Sequence, residues 1–397
     1  MVTSTDAPST MTTVVLPVSL SDITYPPDAY TEHATIAPGS ATETALNKAA
    51  TILRAGGVVA LPTETVYGLG ADARSTPAVR GIFAAKNRPS DNPLIVHVAS
   101  VPQLMRLLKI PAIPEIYAPL VARFWPGPLT IVLPLPAVAD GDAPMISPAC
   151  TPGQDTVAVR MPAHPVARAL IALSDVPVAA PSANASTRPS PTTAAHVLRD
   201  MNGRVPLILD DGSACDVGVE STVVDGTVFP PAVLRPGGVS VEQIREAGGD
   251  AWKNVIFGSA DAAASQTVRT PGMKYRHYSP RARVVLIVGP DADATAQAYI
   301  LSEKALGKVA VLPARGFNVP SWPSAAQGRI ACVMPLGIAG PDIARNLFAH
   351  LRDADDAGVD TIVVEGVDEN DEGAAIMNRL RKAASEIYEH GQHIIKH

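Results

Sequence analysis

Residues 56–70 read GGVVALPTETVYGLG, and this stretch decides the class of fold. Ala45–Leu53 before it has the composition of a helix, and the two glycines end that helix because glycine accepts a positive φ. Val58–Leu61 is then a short apolar strand that stops at a proline. The polar loop Pro62–Tyr67 follows the strand directly. This order is typical of an α/β domain, whose ligands bind in loops beyond the strand ends.

The same rhythm continues along the chain and predicts a domain over residues 45–250. Short apolar runs bounded by Pro, Gly and Asn recur as candidate strands, with helical stretches between some of them. The further strands are Leu94–Val98, Leu129–Leu133, Thr156–Met161, Val176–Ala180, Leu207–Leu209 and Ser221–Val224, and the helices include Pro77–Ala85 and Val166–Leu173. We therefore predict an α/β domain with a twisted, mixed sheet.

A second, smaller domain is predicted over residues 283–397, because strands and helices alternate there regularly. The strands are Arg283–Val288, Lys308–Leu312, Arg329–Met334 and Thr361–Glu365, and the helices are Ala292–Lys304, Pro341–Ala354 and Glu372–Glu389. Such alternation favours a parallel, Rossmann-like sheet. Residues 251–282 lack periodicity and are interpreted as a linker. Residues 1–44 are rich in Ser, Thr, Pro and Asp and are interpreted as a mostly flexible extension.

Composition excludes several classes of protein. With 47% apolar and 18% charged residues, the chain can bury real cores and is not generally disordered. No apolar run is long enough to span a bilayer, and the acidic N-terminus is unlike a signal or transit peptide. The three cysteines are isolated, and no P-loop or GxGxxG motif occurs. We expect a cytoplasmic protein that does not bind a membrane.

The net charge of −6 is unevenly distributed. Residues 45–282 carry 21 basic and 18 acidic side chains, whereas residues 1–44 carry five acidic and no basic ones. The largest domain is therefore basic, which favours an anionic ligand there.

Several polar residues of this basic domain are candidates for binding such a ligand. Lys86 and Arg88 stand together at a helix end, where they either clamp a polyphosphate or compensate the helix dipole. His97 lies in a predicted strand, where a lone histidine is more often structural than catalytic. In Thr156–Met161, strand alternation places Arg160 on one face with Thr156 and Ala158, opposite the apolar residues. An arginine there suits a carboxylate.

Further polar residues recur at predicted strand ends. Thr63–Thr65 follow the first strand, Ser182 and Asn184 follow another, and Ser221 and Arg235 lie near two more. Each is individually compatible with a tight turn, since Ser, Thr and Asn are common turn formers. Their recurrence in one basic domain indicates one shared cleft.

The chain resembles a known family, the threonylcarbamoyl-AMP synthases, in their two-domain form with a YrdC-like first domain. The resemblance covers about residues 45–385. It rests on residues 56–70, on Lys86-x-Arg88 with Ser182-x-Asn184, on FWPGPLT from Phe124, and on further ordered motifs. These are Thr156–Pro162, Glu220–Val223, Leu234–Gly237, Gly272–Pro280, and Met377–Leu380 with Lys382–Ala384.

The resemblance implies condensation of L-threonine, bicarbonate and ATP into threonylcarbamoyl-AMP with release of pyrophosphate. A separate transferase would then move the threonylcarbamoyl group to an adenosine beside the tRNA anticodon, so stable tRNA binding by this chain is not required. Mg²⁺ would arrive with ATP, since no carboxylate cage is evident. No enzyme nucleophile is needed, because catalysis of this kind rests on positioning and charge.

The resemblance also implies site roles, which are carried over residue by residue. Thr65, His97, Arg160 and Ser221 resemble the threonine subsite, with Arg160 on the carboxylate and His97 on the hydroxyl. The nucleotide subsite comprises Lys86, Arg88, Asn92, Thr156, Ser182, Asn184, Ser190 and Arg235, with Lys86 and Arg88 as the catalytic cations on the phosphates. Tyr275, Arg276 and His277 resemble a linker flap over the cleft.

The chain departs from the family pattern at Ser186-Thr187, where the family usually has Ser-Gly. Two other functions are alternatives. A non-catalytic RNA-binding or ribosome-assembly module would use the basic domain, but aromatic residues for base stacking make up only 4% of the chain. Carbamoyl transfer in hydrogenase maturation shares the domain type, but it calls for paired-cysteine zinc modules that three scattered cysteines do not supply.

Overall fold

The structure is a computed structural model that describes residues 11–26, 34–137, 144–258 and 277–394. Within these ranges the chain forms two α/β units, each built on its own sheet. None of the helices there is both long and apolar enough to cross a bilayer.

The larger unit is built on a mixed sheet of eleven strands, as predicted. The strands before residue 258 are β1 (Val14–Pro17), β2 (Ile23–Thr24), β3 (Thr35–Ile36), β4 (Val59–Leu61), β5 (Gly68–Asp72), β6 (Val96–His97), β7 (Leu129–Pro134), β8 (Thr156–Arg160), β9 (Val178–Ala179), β10 (Leu207–Asp210), β11 (Thr222–Asp225), β12 (Ala232–Arg235) and β13 (Ile256–Phe257). Their order in the sheet is β1-β10-β4-β5-β9-β6-β8-β7-β11-β12-β13, while β2 and β3 pair separately. Parallel pairs such as β4 with β10 adjoin antiparallel pairs such as β4 with β5.

Seven helices of this unit pack on the sheet within the described ranges. They are α1 (Ala41–Arg54), α2 (Thr76–Lys86), α3 (Val101–Leu108), α4 (Ala118–Phe124), α5 (Pro165–Ser174), α6 (Ala194–Met201) and α7 (Val241–Ala247). Hydroxyl side chains cap the starts of several of them, for example Ser75 Oγ, which accepts a hydrogen bond from Ala78 N. Helix α2 ends at Lys86, and the φ of 50° at the next residue, Asn87, turns the chain out of the helix.

The prediction of a mostly flexible N-terminal extension is wrong for its described part. Val14–Pro17 is a strand that pairs in parallel with Leu207–Asp210 at the edge of the main sheet. Helix α1 also begins four residues earlier than predicted, because Ser40 Oγ caps it by accepting from Glu43 N. This short apolar segment is therefore part of the fold, and it satisfies backbone groups that β10 would otherwise leave unpaired.

The two faces of the sheet are covered differently, and this creates the space for a site. One face is packed by α2, α3, α4, α6 and α7 around a single apolar core. On the other face α1 and α5 cover only the end of the sheet near β4 and β10. Over β6, β7, β8 and β11 that face carries a small apolar patch of Ile95, Val132, Ala158 and Val223. No helix of the first unit packs on this patch within the described ranges.

The second unit is a parallel sheet, as predicted, with one antiparallel edge strand. Its strands are β14 (Arg283–Val288), β15 (Val309–Leu312), β16 (Ile330–Val333), β17 (Thr361–Glu365), β18 (Glu386–Glu389) and β19 (Gln392–Ile394), and its helices are α8 (Ala292–Leu301), α9 (Ser324–Gln327), α10 (Gly340–Asp356) and α11 (Glu372–Ala383). The order is β16-β15-β17-β14-β18-β19, and only the last pair is antiparallel.

The predicted C-terminal helix over Glu372–Glu389 is too long. The helix ends at Ala383, and Glu386–Glu389 is a strand that pairs in parallel with β14. Burial of Ile387 and Tyr388 accompanies this pairing. A free edge of β14 thus decides the conformation of a segment whose own composition is compatible with a helix.

The two units share one apolar cluster at their contact. Val66 and Val219 of the first unit lie in the same cluster as Leu347 and Phe348 of α10. At Gly218, with a φ of 73°, a Cβ atom would lie 2.3 Å from the Cα of Arg345. Glycine at this position therefore permits α10 to approach the loop that precedes β11.

Candidate active site

A cavity of about 340 Å³ lies over the patch that the helices leave uncovered. Loops from both ends of the sheet contribute to its wall, and His277 and Tyr278 contribute from beyond the first unit. Eleven predicted site residues line it: Thr65, Lys86, Arg88, Asn92, His97, Arg160, Ser182, Asn184, Ser221, Arg235 and His277. The shared cleft expected from the recurrence of polar loops is therefore present.

Two predicted site residues are not part of this lining. Thr156 begins β8, and four residues of extended strand place it roughly 13 Å from Arg160 at the other end. Ser190 lies behind the wall, where its Oγ donates to Glu220 Oε1 at 2.6 Å. Tyr275 and Arg276 lie outside the described residues.

The predicted alternation of β8 is confirmed. Val157, Val159 and Met161 belong to the large core, while Ala158 belongs to the small patch under the cavity. Arg160 lies on the side of Ala158 and lines the cavity, only 3% exposed. Alternation of side chains along the strand is thus what aims this guanidinium away from the core.

Arg160 is held in place by three hydrogen bonds. Its Nε donates to Gly127 O at 3.1 Å, its Nη1 to Thr65 Oγ1 at 2.9 Å, and its Nη2 to Glu64 Oε1 at 2.6 Å. A guanidinium has five N–H donors. The three bonds use three of these donors, so two N–H groups remain. Two is the number of donors that a bidentate carboxylate needs.

His97 lies beside Arg160, because β6 and β8 are paired in register at these two residues. Burial, with Arg160 adding to it, lowers the pKa of His97 to about 3. The imidazole is therefore neutral near pH 7. Its Nδ1 is buried and has no hydrogen-bond partner among the described residues, so a ligand hydroxyl would satisfy it.

Ser221 completes this side of the cavity. Its Oγ is 2.7 Å from Thr130 Oγ1, and Thr130 is the register partner of Arg160 in the neighbouring strand. Arg235 Nη2 donates to Ser221 O at 2.9 Å and to Ser221 Oγ at 3.1 Å. Burial lowers the pKa of Arg235 to about 10, so this guanidinium stays charged at neutral pH.

Lys86 lies on the opposite side and binds the loop after β9. Its Nζ donates to Ser182 O and, at 2.6 Å, to Asn184 O. Burial, with Arg88 as the next cause, holds the pKa of Lys86 well below its usual 10.5. The two predicted pairs, Lys86-x-Arg88 and Ser182-x-Asn184, are therefore in direct contact, although nearly one hundred residues separate them.

Arg88 and Asn92 carry polar atoms that the described protein leaves unsatisfied. Arg88 Nη2 is 3.4 Å from Pro93 O, but its Nε is buried without a partner, as is Asn92 Oδ1. Burial lowers the pKa of Arg88 to about 10, so it remains a cation at neutral pH. Buried donors and acceptors of this kind are costly unless a ligand pairs with them.

Comparison with known proteins identifies the family of this chain. Residues 51–237 match the Sua5/YciO/YrdC family model, described as "Telomere recombination", and residues 239–385 match the model "Threonylcarbamoyl-AMP synthase, C-terminal domain". A threonylcarbamoyl-AMP synthase of Schizosaccharomyces pombe is 51% identical over 91% of this chain and 94% of its own. One of Pyrococcus abyssi is 47% identical over 85% of this chain and 93% of its own.

The chain belongs to the threonylcarbamoyl-AMP synthase family. A crystal structure of Pyrococcus abyssi Sua5 complexed with L-threonine is 45% identical, covers 87% of this chain and 95% of its own, and superposes with a TM-score of 0.76. The predicted family, two-domain fold class and enzyme class are thereby confirmed.

The departure from the threonylcarbamoyl-AMP synthase pattern at residue 187 coincides with an unusual backbone. Thr187 has a φ of 74° and lines the cavity, where the resemblance to the family leads us to expect glycine. The left-handed region is unfavourable for a β-branched residue. Thr187 O accepts from Ser279 N at 2.8 Å, so this strained residue also contacts the segment between the two units.

Residues that the sequence reasoning did not assign also shape the site. Glu220 lines the cavity and is bound by Arg379 of the second unit, whose Nε donates to Glu220 Oε2 at 3.0 Å. Burial alone would raise the pKa of Glu220, but Arg379, Arg235 and Ser190 outweigh it and lower the pKa to about 2. Both residues stand inside motifs that carry the family resemblance, but nothing in the sequence links one to the other.

The cavity as a whole is positive. Among its lining residues Lys86, Arg88, Arg160, Arg188 and Arg235 face a single carboxylate, Glu220. Low-dielectric walls strengthen such a field, so the cavity is suited to a polyanion together with a carboxylate. Among the described residues no group of three or more His, Cys, Asp or Glu side chains is arranged to hold a metal ion.

Proposed function

We propose that the cavity condenses L-threonine, bicarbonate and ATP. The threonine amine and bicarbonate combine to a carbamate with loss of water. A carbamate oxygen then attacks the α-phosphorus of ATP, and the bond from that phosphorus to the bridging oxygen breaks. Pyrophosphate leaves, and threonylcarbamoyl-AMP remains. The relatives are named for this product, threonylcarbamoyl-AMP.

The threonine half of the proposal uses Arg160, His97, Thr65 and Ser221. Arg160 binds the carboxylate with its two remaining N–H donors, because the three bonds described above fix the guanidinium plane beforehand. Neutral His97 takes the threonine hydroxyl at its unpartnered Nδ1. In support, His97 and Arg160 are register partners in neighbouring strands, and Arg160 Nη1 donates to Thr65 Oγ1. Ser221 Oγ contacts Thr130, the register partner of Arg160 on its other side.

The nucleotide half uses Lys86, Arg88, Asn92, Ser182, Asn184 and Arg235. The unpartnered Arg88 Nε and Asn92 Oδ1 are satisfied by phosphate and nucleoside groups. Lys86, bound to the backbone of the Ser182–Asn184 loop, fixes that loop and adds positive charge beside the phosphates. Thr156 and Ser190 act from outside the cavity lining, Ser190 through Glu220.

Catalysis then rests on placing the carbamate in line with the α-phosphate and on stabilising the charge that develops there. Mg²⁺ enters as the ATP complex and is bound chiefly by phosphate oxygens and water, in keeping with its reluctance to dehydrate. We propose that His277, together with Tyr275 and Arg276 from the same linker, covers the loaded site. The product then passes to a tRNA threonylcarbamoyl transferase in the cytoplasm.

The observation that carries the proposal is the meeting of four other basic side chains with the Arg160–His97–Ser221 group in one cavity. The test is pyrophosphate release by the purified chain with ATP, bicarbonate and threonine, each omitted in turn, and with serine replacing threonine. We expect release only when all three are present, together with a product that has the mass of threonylcarbamoyl-AMP. Release that does not depend on threonine would overturn the proposal, and RNA binding without ATP turnover would favour the RNA-binding alternative.

A further inference from the structure

The carboxylate of Asp355 joins three parts of the molecule. Asp355 lies near the end of α10 in the second unit, and its side chain is only 3% exposed. Its Oδ1 accepts from Arg281 N at 2.7 Å and from Ala282 N at 3.0 Å. Its Oδ2 accepts from Arg188 Nη2 at 2.9 Å and from Arg281 Nε at 3.3 Å.

Each of these partners has a distinct position relative to the site. Arg188 lines the cavity, four residues after Asn184, whose Nδ2 donates to Arg188 O at 2.9 Å. Arg281 and Ala282 end the segment that carries His277 and Tyr278 into the cavity. One buried carboxylate therefore connects two parts of the cavity wall to the second unit. They are the loop that contains Arg188, on the proposed nucleotide side, and the end of the linker.

The other side of Arg188 is fixed by the same interface. Arg188 Nη1 donates to Asp200 Oδ1 at 3.1 Å, and Arg352 of α10 donates to Asp200 Oδ2 at 2.8 Å. Arg352 Nε also donates to Pro189 O at 3.0 Å. Two arginines thus alternate with two aspartates, and the loop that contains Arg188 is bound by the second unit on both sides.

We propose that Asp355 is a positioning residue for the synthase reaction, holding Arg188 and the end of the linker in the geometry that closes the nucleotide side of the cavity. Oδ1 accepts from the two backbone N–H groups at 281 and 282, and Oδ2 accepts from the guanidinium groups of Arg188 and Arg281. A neutral amide has one acceptor oxygen, so it can keep only one of these two sets of bonds. Loss of the carboxylate therefore breaks the connection between Arg188 and the linker end. This inference rests on the proposed nucleotide subsite.

The matched pair of variants is Asp355→Asn and Asp356→Asn. Asp356 is the next residue of the same helix and also forms an ion pair across the interface, with Arg199 of α6. Neither Asp356 nor Arg199 lines the cavity. The control therefore removes an ion pair between the units without touching Arg188 or the linker.

We expect Asp355→Asn to lower kcat/KM for ATP about tenfold or more and Asp356→Asn to change it less than twofold, with melting temperatures measured for both. A second readout is the rise in melting temperature on adding ATP and Mg²⁺ without threonine, which we expect Asp355→Asn to reduce. Arg188→Gln removes the other partner of the ion pair with Asp355. Its effect on kcat/KM should be less than additive with that of Asp355→Asn, because both remove the same bond.

Equal kinetics for the two aspartate variants would overturn the inference. The inference would also be overturned if the loss of kcat/KM for ATP in Asp355→Asn disappeared once activity is corrected for the folded fraction. Full additivity of the effects of Asp355→Asn and Arg188→Gln on kcat/KM would overturn it as well. A wild-type chain that fails to make the product contradicts the proposed function instead, so the two failures are distinguishable.

Discussion

Glu64 Oε1 accepts a hydrogen bond from Arg160 Nη2 at 2.6 Å, although the two residues are 96 positions apart in the chain. Both side chains are almost fully buried. Glu64 approaches the guanidinium from outside the cavity, since Arg160 is among the lining residues and Glu64 is not. The arginine proposed to bind threonine is therefore oriented and charge-balanced before any ligand arrives.

Replacing Glu64 with glutamine should weaken threonine binding through this contact. A charge-assisted hydrogen bond is about twice as strong as a neutral one, so a loss of about 1 kcal/mol is expected. We predict that KM for threonine rises about fivefold while KM for ATP is unchanged. Steady-state kinetics with each substrate varied is the measurement, and exposed Glu246→Gln is the control. An equal rise in both KM values would contradict this role.

Removal of Arg160 itself should have a larger effect on threonine. Arg160→Ala deletes a bidentate partner of the carboxylate, and hydrogen bonds to charged groups contribute about 1.5–3 kcal/mol. We predict a loss of about 10- to 100-fold in kcat/KM for threonine. Threonine titration followed by pyrophosphate release measures it, with exposed Arg245→Ala as the control. Wild-type threonine kinetics in Arg160→Ala would show that the cleft is assigned wrongly.

Lys86→Met should impair the use of ATP more than that of threonine. Methionine fills a similar volume, but it leaves the carbonyl groups of Ser182 and Asn184 without their donor and removes a positive charge. We predict a loss of at least about tenfold in kcat/KM for ATP. The informative quantity is the ratio of the loss in kcat/KM for ATP to the loss in kcat/KM for threonine. A ratio near one would indicate a general structural defect rather than a role at the nucleotide.

His97 should make the protein sensitive to acid. Its pKa is lowered to about 3 in the folded state, whereas an unfolded histidine titrates near 6.5. Between these values the unfolded chain binds the extra proton, so stability falls as the pH drops below about 6.5. At pH 5 the expected cost is about 2 kcal/mol. His277, with a pKa lowered to about 4, acts in the same direction.

The measurement for His97 is the difference in melting temperature between pH 7 and pH 5. We expect His97→Gln to narrow this difference relative to the wild type, because glutamine does not titrate. An identical pH dependence in His97→Gln and wild type would refute the buried, neutral state of His97.

Thr187→Gly should relieve the backbone strain at the rim of the cavity. A non-glycine residue in the left-handed region costs about 1–3 kcal/mol, against which glycine loses about 0.4–1 kcal/mol through the unfolded state. We predict a net gain in the free energy of unfolding of up to about 2 kcal/mol, measured by urea denaturation. Ser186→Gly, at the neighbouring residue without a positive φ, should instead destabilise the protein. A loss of stability in Thr187→Gly would show that contacts of the threonine side chain outweigh the strain.

Local patterns in the sequence predicted much of the fold correctly. The strand Arg283–Val288 and the strand Thr361–Glu365 have the bounds that their apolar runs indicate. The face of Arg160 follows from simple alternation. Local patterns did not predict short or glycine-rich strands such as Gly68–Asp72, because glycine is depleted in strands. This strand is stabilised by its pairing with β4 and β9.

The chain by itself determined its family, the strand parity that aims Arg160 and the basic character of the larger domain, because these depend on residue order and on local periodicity. Only the tertiary structure decided that Glu64 supports Arg160, that Arg379 neutralises Glu220, and that Asp355 joins Arg188 to the linker end. Charge pairing depends on distance in space, and these partners are brought together by sheet order and by the contact between the two units. The tertiary structure also decided that Glu386–Glu389 is a strand, because the free edge of β14 supplied hydrogen bonds that no local pattern encodes.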